Sequence, residues 1–151
     1  MPEYLTPGVY IEELDTGPRP VEQVGMSVPG FVGVASKKKV RVNEAVRITS
    51  FRDFFRIFID DSKEATPLAY AVQGFFLNGG SACYVVNLGD DGPISGGGRG
   101  LDVLEPIDEI AMYAAPGYTD PDSQERLLSA AERYGSCFAL LDGPERIDDL
   151  E

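Results

Sequence analysis

One stretch of sequence, residues 66–88, places the strongest constraint on how this chain folds. It opens with Thr66, which can cap a helix, and Pro67, whose missing N–H costs nothing at the first helical position. The apolar side chains that follow recur at helical spacing and share one face: Leu68, Ala71, Val72, Phe75 and Phe76. Gly79 and Gly80 then stop the helix, and the apolar run at residues 83–86 predicts a buried strand.

Burial of this helix face contributes a gross stabilisation of roughly 7–15 kcal/mol, at about 1.5–3 kcal/mol for each large side chain. A helix followed by two glycines and a buried strand is a natural nucleus for an α/β core. The stretch therefore sets the fold class that the rest of the chain has to match.

The remainder of the chain from residue 31 onward alternates strands with helices. The predicted strands are residues 31–35, 45–49, 83–86, 110–115 and 137–141. Residues 101–109 predict a short helical region, which is broken by Pro106. This alternation predicts an α/β fold: a mainly parallel or mixed sheet with helices packed on it.

Two further helices have readable starts. Ser50 precedes one of them, with Asp53 in a near capping-box position and an aromatic face made by Phe51, Phe54, Phe55 and Phe58. That aromatic stripe favours core packing over a cofactor site. Asp120 and Pro121 begin the other, which runs to Tyr134 and is closed by Gly135. Its predicted apolar face consists of Leu127, Leu128, Ala131 and Tyr134.

The amino-terminal residues do not resemble globular sequence, because prolines recur there too densely for a helix. The triplet Val9-Tyr10-Ile11 is nevertheless strand-prone and has no partner within the same segment. We predict an extended arm, residues 1–30, that lies on its own domain or adds to a sheet edge elsewhere. The alternative is a frayed tail, which Tyr10 and Ile11 disfavour. Residues 31–144 then form the core domain, and residues 145–151 are an acidic tail or a truncation point.

Charge excludes some classes of partner. The chain has 13 basic and 25 acidic residues and a net charge of −12, which opposes general binding to nucleic acid. No apolar run approaches the length of a membrane span, and the amino terminus lacks a secretion signal pattern. We predict neither a nucleic-acid partner nor a membrane partner.

The two cysteines, Cys83 and Cys137, each fall in a predicted buried strand. They are best interpreted as reduced core thiols. A disulfide between them requires that their strands be neighbours with suitable geometry. With no histidine in the chain, a zinc site is improbable.

The residues that carry chemistry do not combine into a catalytic pattern. The absence of histidine excludes a histidine-based triad, and Ser136 lacks the second glycine of a nucleophile elbow. The Gly-rich loop at residues 89–100 has neither phosphate-cradle nor dinucleotide spacing, and Asp90 and Asp91 lack the alternating ligands of a calcium loop. Asp142 follows the last strand, where ligand sites often lie, but it suits a turn. We predict no enzyme and no catalytic, cofactor-binding or metal-binding residues.

The chain resembles the amino-terminal part of the contractile tail sheath protein family, found in bacteriophage tails and in phage-tail-like contractile injection systems. No single motif is decisive, but the ordered set covers nearly the whole chain. The matching segments are residues 7–13, 20–21 with 24, 31–33, 46–54, 71–80, 83–86, 115–117 and 140–142. Members of this family are usually several hundred residues long.

The resemblance implies a structural protein of a phage virion tail or tail-like particle, assembled in the bacterial cytoplasm. Its subunits form a homo-oligomer of stacked six-membered (hexameric) rings around an inner tube protein, between a baseplate and terminal cap proteins. Contraction drives the tube through a target envelope, and strand exchange by the arms links the subunits. The inter-subunit arm maps onto Pro7, Gly8, Val9, Tyr10, Ile11, Glu12 and Glu13.

Two alternatives stay open at this stage. One is a tail cap or adaptor protein with the same fold. The other is a small α/β enzyme or ligand-binding domain, with its site near Asp142 and the Gly-rich loop.

Overall fold

The computed structural model describes residues 28–60, 65–135, 137–144 and 146. Strands and helices alternate along it in this order: β1 (Val28–Gly33), β2 (Ala45–Ile48), α1 (Phe51–Phe58), α2 (Pro67–Leu77), β3 (Cys83–Asn87), α3 (Leu101–Leu104), β4 (Ile110–Ala114), α4 (Pro121–Tyr134) and β5 (Phe138–Leu140). The predicted α/β fold is confirmed.

The strands form one mixed five-stranded sheet in the order β2-β3-β1-β4-β5. Strand β1 lies between β3 and β4 and runs parallel to both, and β5 is parallel to β4. Strand β2 is antiparallel to β3, with Arg47 opposite Tyr84. The chain pairs β3 on one side of β1 and then crosses to place β4 on the other side. The strand order therefore reverses beside β1, which creates a topological switch point at the carboxyl ends of the parallel strands.

Two apolar cores cover the two faces of the sheet, because successive strand residues point to opposite sides. On one face, Phe31 packs with side chains of α1 and α2, including Phe54, Phe58, Leu68 and Val72. On the other face, Val32 packs with α3 and α4, including Leu101, Leu104, Leu127 and Ala130. The sheet is thus the middle layer of three.

The helix starts are fixed by local hydrogen bonds that the sequence predicts. The backbone N–H of Asp53 donates to Ser50 Oγ at 3.2 Å, and that of Ala69 donates to Thr66 Oγ1 at 3.2 Å. At α4, the N–H of Ser123 donates to Asp120 Oδ1 at 2.9 Å. Each of these bonds satisfies a backbone donor that the first turn would otherwise leave unpaired.

Strand β1 starts at Val28, earlier than the predicted residue 31, so it takes in Pro29 and the end of the predicted arm. The pairing with β4 shifts register between Val28 and Pro29. A proline has no N–H to donate to a neighbouring strand, so strands accommodate proline at irregularities such as this register shift.

The prediction that residues 137–141 form a buried strand is wrong. Strand β5 is an edge strand, and Phe138 exposes 70% of its surface. An apolar run predicts burial only where another layer covers it, and β5 pairs with β4 alone among the described residues. On α4, Leu128 is likewise exposed, while Ala130 takes an inward position.

The two cysteines are free thiols that lie far apart across the sheet. Cys83 is buried in β3, whereas Cys137 precedes β5, on the other side of β1 and β4. The thiol of Cys137 donates to the carbonyl oxygen of Ile110 at 3.1 Å.

Candidate functional site

The predicted inter-subunit arm lies outside the described residues. It comprises Pro7, Gly8, Val9, Tyr10, Ile11, Glu12 and Glu13. Its role stays a prediction.

The alternative ligand site was predicted at the carboxyl ends of the parallel strands, near Asp142 and the Gly-rich loop. Asp142 follows β5 there, and its Oδ2 accepts a hydrogen bond from the backbone N–H of Gly117 at 2.8 Å. Its carbonyl oxygen accepts from Gln124 Nε2 at 3.0 Å. Asp142 thus joins the loop after β4 to the start of α4, which is the structural role that its turn sequence favours.

The Gly-rich loop is held together by its own acidic side chains. Asp90 pairs with Arg99 at 2.6 Å and accepts the N–H of Gly92 at 3.0 Å. The hydrogen bond from Arg99 holds the pKa of Asp90 below its usual value. Asp102 accepts the amide N–H groups of residues 96 and 98. Because those two amides are already engaged by a carboxylate, they do not form a phosphate cradle.

A pocket of about 410 Å³ opens at the switch point, between the loop after β1, the start of α2 and the loop after β4. Tyr118 lines it, and burial, followed by the negative charge of Asp91, raises the pKa of its phenol to about 12. The Tyr118 hydroxyl has no hydrogen-bond partner among the described residues. A phenol that keeps its proton at neutral pH is a poor general base. The Thr66 hydroxyl on the rim is engaged by the helix cap.

The described residues hold no group of three or more His, Cys, Asp or Glu side chains arranged to bind a metal ion. Within the same ranges, no helix has the length and apolarity that crossing a membrane requires.

Exposed apolar surface distinguishes this domain more clearly than the switch-point pocket does. On α2, Tyr70 exposes 64% and Leu77 exposes 78% of its surface. At the sheet edge, the exposed side chains of Phe138, Leu140 and Leu141 follow one another along β5 and its exit. Contiguous exposed apolar patches are typical of surfaces that interact with another molecule.

Sequence reasoning missed the α2 surface, although a signal was present. Tyr70 and Leu77 lie opposite the predicted buried face of the helix, where charged or strongly polar residues are the norm. A helix that stays uncharged on its outer side indicates a second covered face.

No protein-family model matches the chain, and no curated protein does. Among solved structures, the chain is similar to the helical sheath of the anti-feeding prophage (AFP) in its contracted state, with 26% identity and a TM-score of 0.55. The match covers 93% of this chain and 42% of the sheath chain, so this chain spans less than half of that protein.

A chain from the structure of the AFP baseplate in its contracted state is similar too, with 22% identity and a TM-score of 0.55. That match covers 92% of this chain and 41% of the other, and it bears on the fold alone. The sheath-like fold implied by the sequence resemblance is confirmed.

Proposed function

We propose that this protein is a structural subunit of a contractile tail sheath or injection system. In this role, copies polymerise as stacked rings around an inner tube, between a baseplate and a cap, and contraction drives the tube through a target envelope. The observation that carries the proposal is the likeness to the contracted AFP sheath over 93% of this chain. The proposal includes no enzymatic step.

The architecture of the domain supports this role. Its sheet is covered on both faces by separate apolar cores, and its helix starts are capped by side-chain hydrogen bonds. Close packing of this kind makes a domain a stiff block rather than a deformable one. A subunit whose contacts with its neighbours change during contraction needs such a block, because its own fold has to survive the change.

The edge of the sheet supports a connection by added strands. Strand β5 leaves one edge unpaired among the described residues, and its exposed side chains include Phe138 and Leu140. Native proteins usually protect such an edge, since it offers a template for a strand from another chain. In the proposed assembly, the arm around Val9-Tyr10-Ile11 supplies a strand to a neighbouring subunit.

The test uses the full chain with Tyr10→Asp and Ile11→Asp together. We expect the melting temperature to stay near that of the wild type, while rings and tubes disappear in negative-stain electron microscopy. A charged side chain in a strand that adds to another subunit removes the apolar contact and places a carboxylate in the interface.

The control carries Thr49→Asp and Ser129→Asp, which add the same charge at exposed positions of the α/β domain. This variant should assemble like the wild type. Unfolding of the Tyr10 and Ile11 variant would show that the arm belongs to its own core and would refute strand exchange. Localisation at one end of a particle, rather than along its shaft, would favour the cap or adaptor alternative.

A further inference from the structure

The charged side chains of the domain are segregated by sign between two parts of the chain. Residues 37–56 contain seven basic and two acidic side chains, whereas residues 101–134 contain two basic and eight acidic ones. Helix α1 belongs to the first part and packs on one face of the sheet, while α3 and α4 belong to the second part and pack on the other face. Helices of opposite charge therefore lie on opposite sides of the domain.

The basic side is centred on α1. A recess of about 540 Å³ is lined there by three cations, one carboxylate and two apolar side chains: Lys37, Arg52, Arg56, Asp53, Phe55 and Ile59. The Lys37 ammonium donates to the carbonyl oxygen of Arg56 at 2.9 Å, which holds the lysine-rich turn against the end of α1. The carboxylate of Asp53 is already paired with Arg56 at 3.3 Å. We call this recess, together with residues 37–39, the α1 basic patch.

The acidic side is centred on the outer surface of α4. Asp122, Glu125 and Glu132 are exposed there, and none of them forms an ion pair with another described residue. The arginines of this helix, Arg126 and Arg133, are bonded to a serine and a glutamate of their own domain. We call the three exposed carboxylates the α4 acidic patch.

Each patch also carries an exposed apolar side chain among its charges. Phe55 is 44% exposed in the α1 basic patch, and Leu128 is 45% exposed on α4. Leu128 lies three residues after Glu125 and four before Glu132, so the three side chains are neighbours on the helix surface. An apolar centre with a polar rim is the usual composition of a protein interface. The two patches therefore match in both charge and apolar content.

Two of these charges lie where their own helices disfavour them. Arg52 is in the first turn of α1, and Glu132 is in the last turn of α4. A helix macrodipole favours an anion at its start and a cation at its end, so each charge costs its helix about 0.3–1 kcal/mol. Neither side chain has an ion pair within the described part of the chain. The stability of the isolated domain gives no reason for either charge, whereas contact with a surface of opposite charge does.

We infer that the α1 basic patch of one copy binds the α4 acidic patch of a second copy. Because the two patches lie on opposite sides of the domain, the contact is head-to-tail and can repeat from copy to copy. A two-fold contact would instead place each patch against its own like charge, which repels. The inference rests on the proposed function for its biological role, because stacked rings need contacts that propagate in this way.

The net charge of −12 favours a second copy over a nucleic acid at the α1 basic patch. A polyanion bound there would be repelled by the acidic remainder of the same subunit. A second copy brings a local group of carboxylates of matching extent, and it offers its own basic patch to the next copy.

The experiment measures self-association of the full chain by sedimentation velocity over a series of concentrations. Two variants reverse one patch each: Lys38→Glu, Lys39→Glu and Arg52→Glu in the first, and Asp122→Lys, Glu125→Lys and Glu132→Lys in the second. The wild type should associate, and each variant alone should associate at least about tenfold more weakly, because like charges then face each other.

An equimolar mixture of the two variants is the matched control. It contains every substitution and has the average net charge of the wild type, −12 per chain. Each reversed patch can meet the reversed patch of the other variant, and each unchanged patch can meet its unchanged counterpart. The mixture should therefore associate to within about threefold of the wild type.

Single substitutions separate the contact from folding. Arg52→Glu and Glu132→Lys each replace a charge that its helix disfavours, so the melting temperature should stay at or above that of the wild type. The dissociation constant between copies should nevertheless rise. A merely structural role of these two side chains would lower the melting temperature and leave association unchanged.

The salt dependence gives a second, independent readout. Two copies of net charge −12 repel each other overall, so added salt strengthens a contact that is only apolar. Salt weakens a contact between patches of opposite charge. We expect association of the wild type to weaken as sodium chloride rises from about 50 mM to about 500 mM, and strengthening would count against the inference.

Three further outcomes would overturn the inference: a wild type that stays monomeric throughout the series, a reversed variant that associates like the wild type, or a mixture as weak as its components. The last result would point to an acidic partner other than a second copy. Electron microscopy distinguishes this failure from failure of the sheath proposal. Rings or tubes that either variant forms alone refute the contact and leave the sheath role intact. Association that the mixture restores, without rings or tubes from the wild type, supports the contact and refutes the sheath role.

Discussion

Replacing Asn87 should destabilise the domain more than any exposed polar substitution. Asn87 ends β3, is fully buried, and ties the loop after β1 to the loop after β3. Its Oδ1 accepts the backbone N–H groups of Ala35 at 3.0 Å and Gly89 at 3.1 Å. Its Nδ2 donates to the carbonyl oxygens of Lys37 at 3.0 Å and Val40 at 2.8 Å.

The magnitude follows from these bonds. At a net worth of about 0.5–1.5 kcal/mol each, the loss of these four bonds in Asn87→Ala should lower the free energy of unfolding by about 2–6 kcal/mol. For a chain of this size, that corresponds to a fall in melting temperature of about 4–24 °C, at about 2–4 °C per kcal/mol. Asn87→Asp should be worse, because a buried carboxylate oxygen would face the carbonyl oxygens that Nδ2 now binds.

Urea unfolding of the monomer, followed by circular dichroism, gives the free energy of unfolding. Asn78→Ala is the control, since its exposed amide makes one hydrogen bond, to the Gly74 carbonyl at 2.8 Å. Its effect should stay within about 1 kcal/mol. The reasoning is refuted if Asn87→Ala costs no more than this control, or if Asn87→Asp is as stable as Asn87→Ala.

The remaining predictions concern one turn and the two thiols. Gly100 has φ +57°, and a Cβ atom there would overlap the carbonyl oxygen of Ile94. Gly100→Ala should therefore lower the free energy of unfolding, measured in urea, by more than about 3 kcal/mol. Gly97 has φ +68° but open space around it, so Gly97→Ala should lower the same quantity by about 1 kcal/mol. Ellman's reagent should label Cys137 in the folded protein and Cys83 only after unfolding, because Cys83 is fully buried; equal rates would contradict this. Burial also raises the pKa of the Cys83 thiol from 9.0 to about 12. Because the unfolded chain then releases this proton at a lower pH than the folded protein does, the stability that the buried neutral thiol contributes is fully present below pH 9. It should be lost as the pH rises from 9 toward 12.

The features that the sequence predicted correctly are those decided within a few residues. Thr66 and Asp120 cap their helices because a cap needs only the side chain and the first turn that follows it. The strand that ends with Asn87 was predictable from its own apolar run. Fold class then followed from the alternation of such elements.

The features that were missed depend on parts of the chain that are far apart in sequence. Asn87 binds Ala35 across a sequence separation of 52, and no local pattern marks such a partner. Strand β5 looked buried because an apolar run does not reveal whether a neighbour lies beside it. The arm around Tyr10 stays a prediction for the same reason, because its proposed partner belongs to another copy.

The proposed function requires that folding and assembly depend on different residues. Asn87 lies inside the block and touches no outer surface, so Asn87→Ala should lower the melting temperature without changing the dissociation constant between copies. Arg52 lies exposed in the first turn of α1, so Arg52→Glu should weaken association without lowering the melting temperature. Each substitution serves as the control for the other. If both substitutions changed both quantities, the subunit would not act as a stiff block, and contraction by exchange of contacts between intact subunits would lose its physical basis.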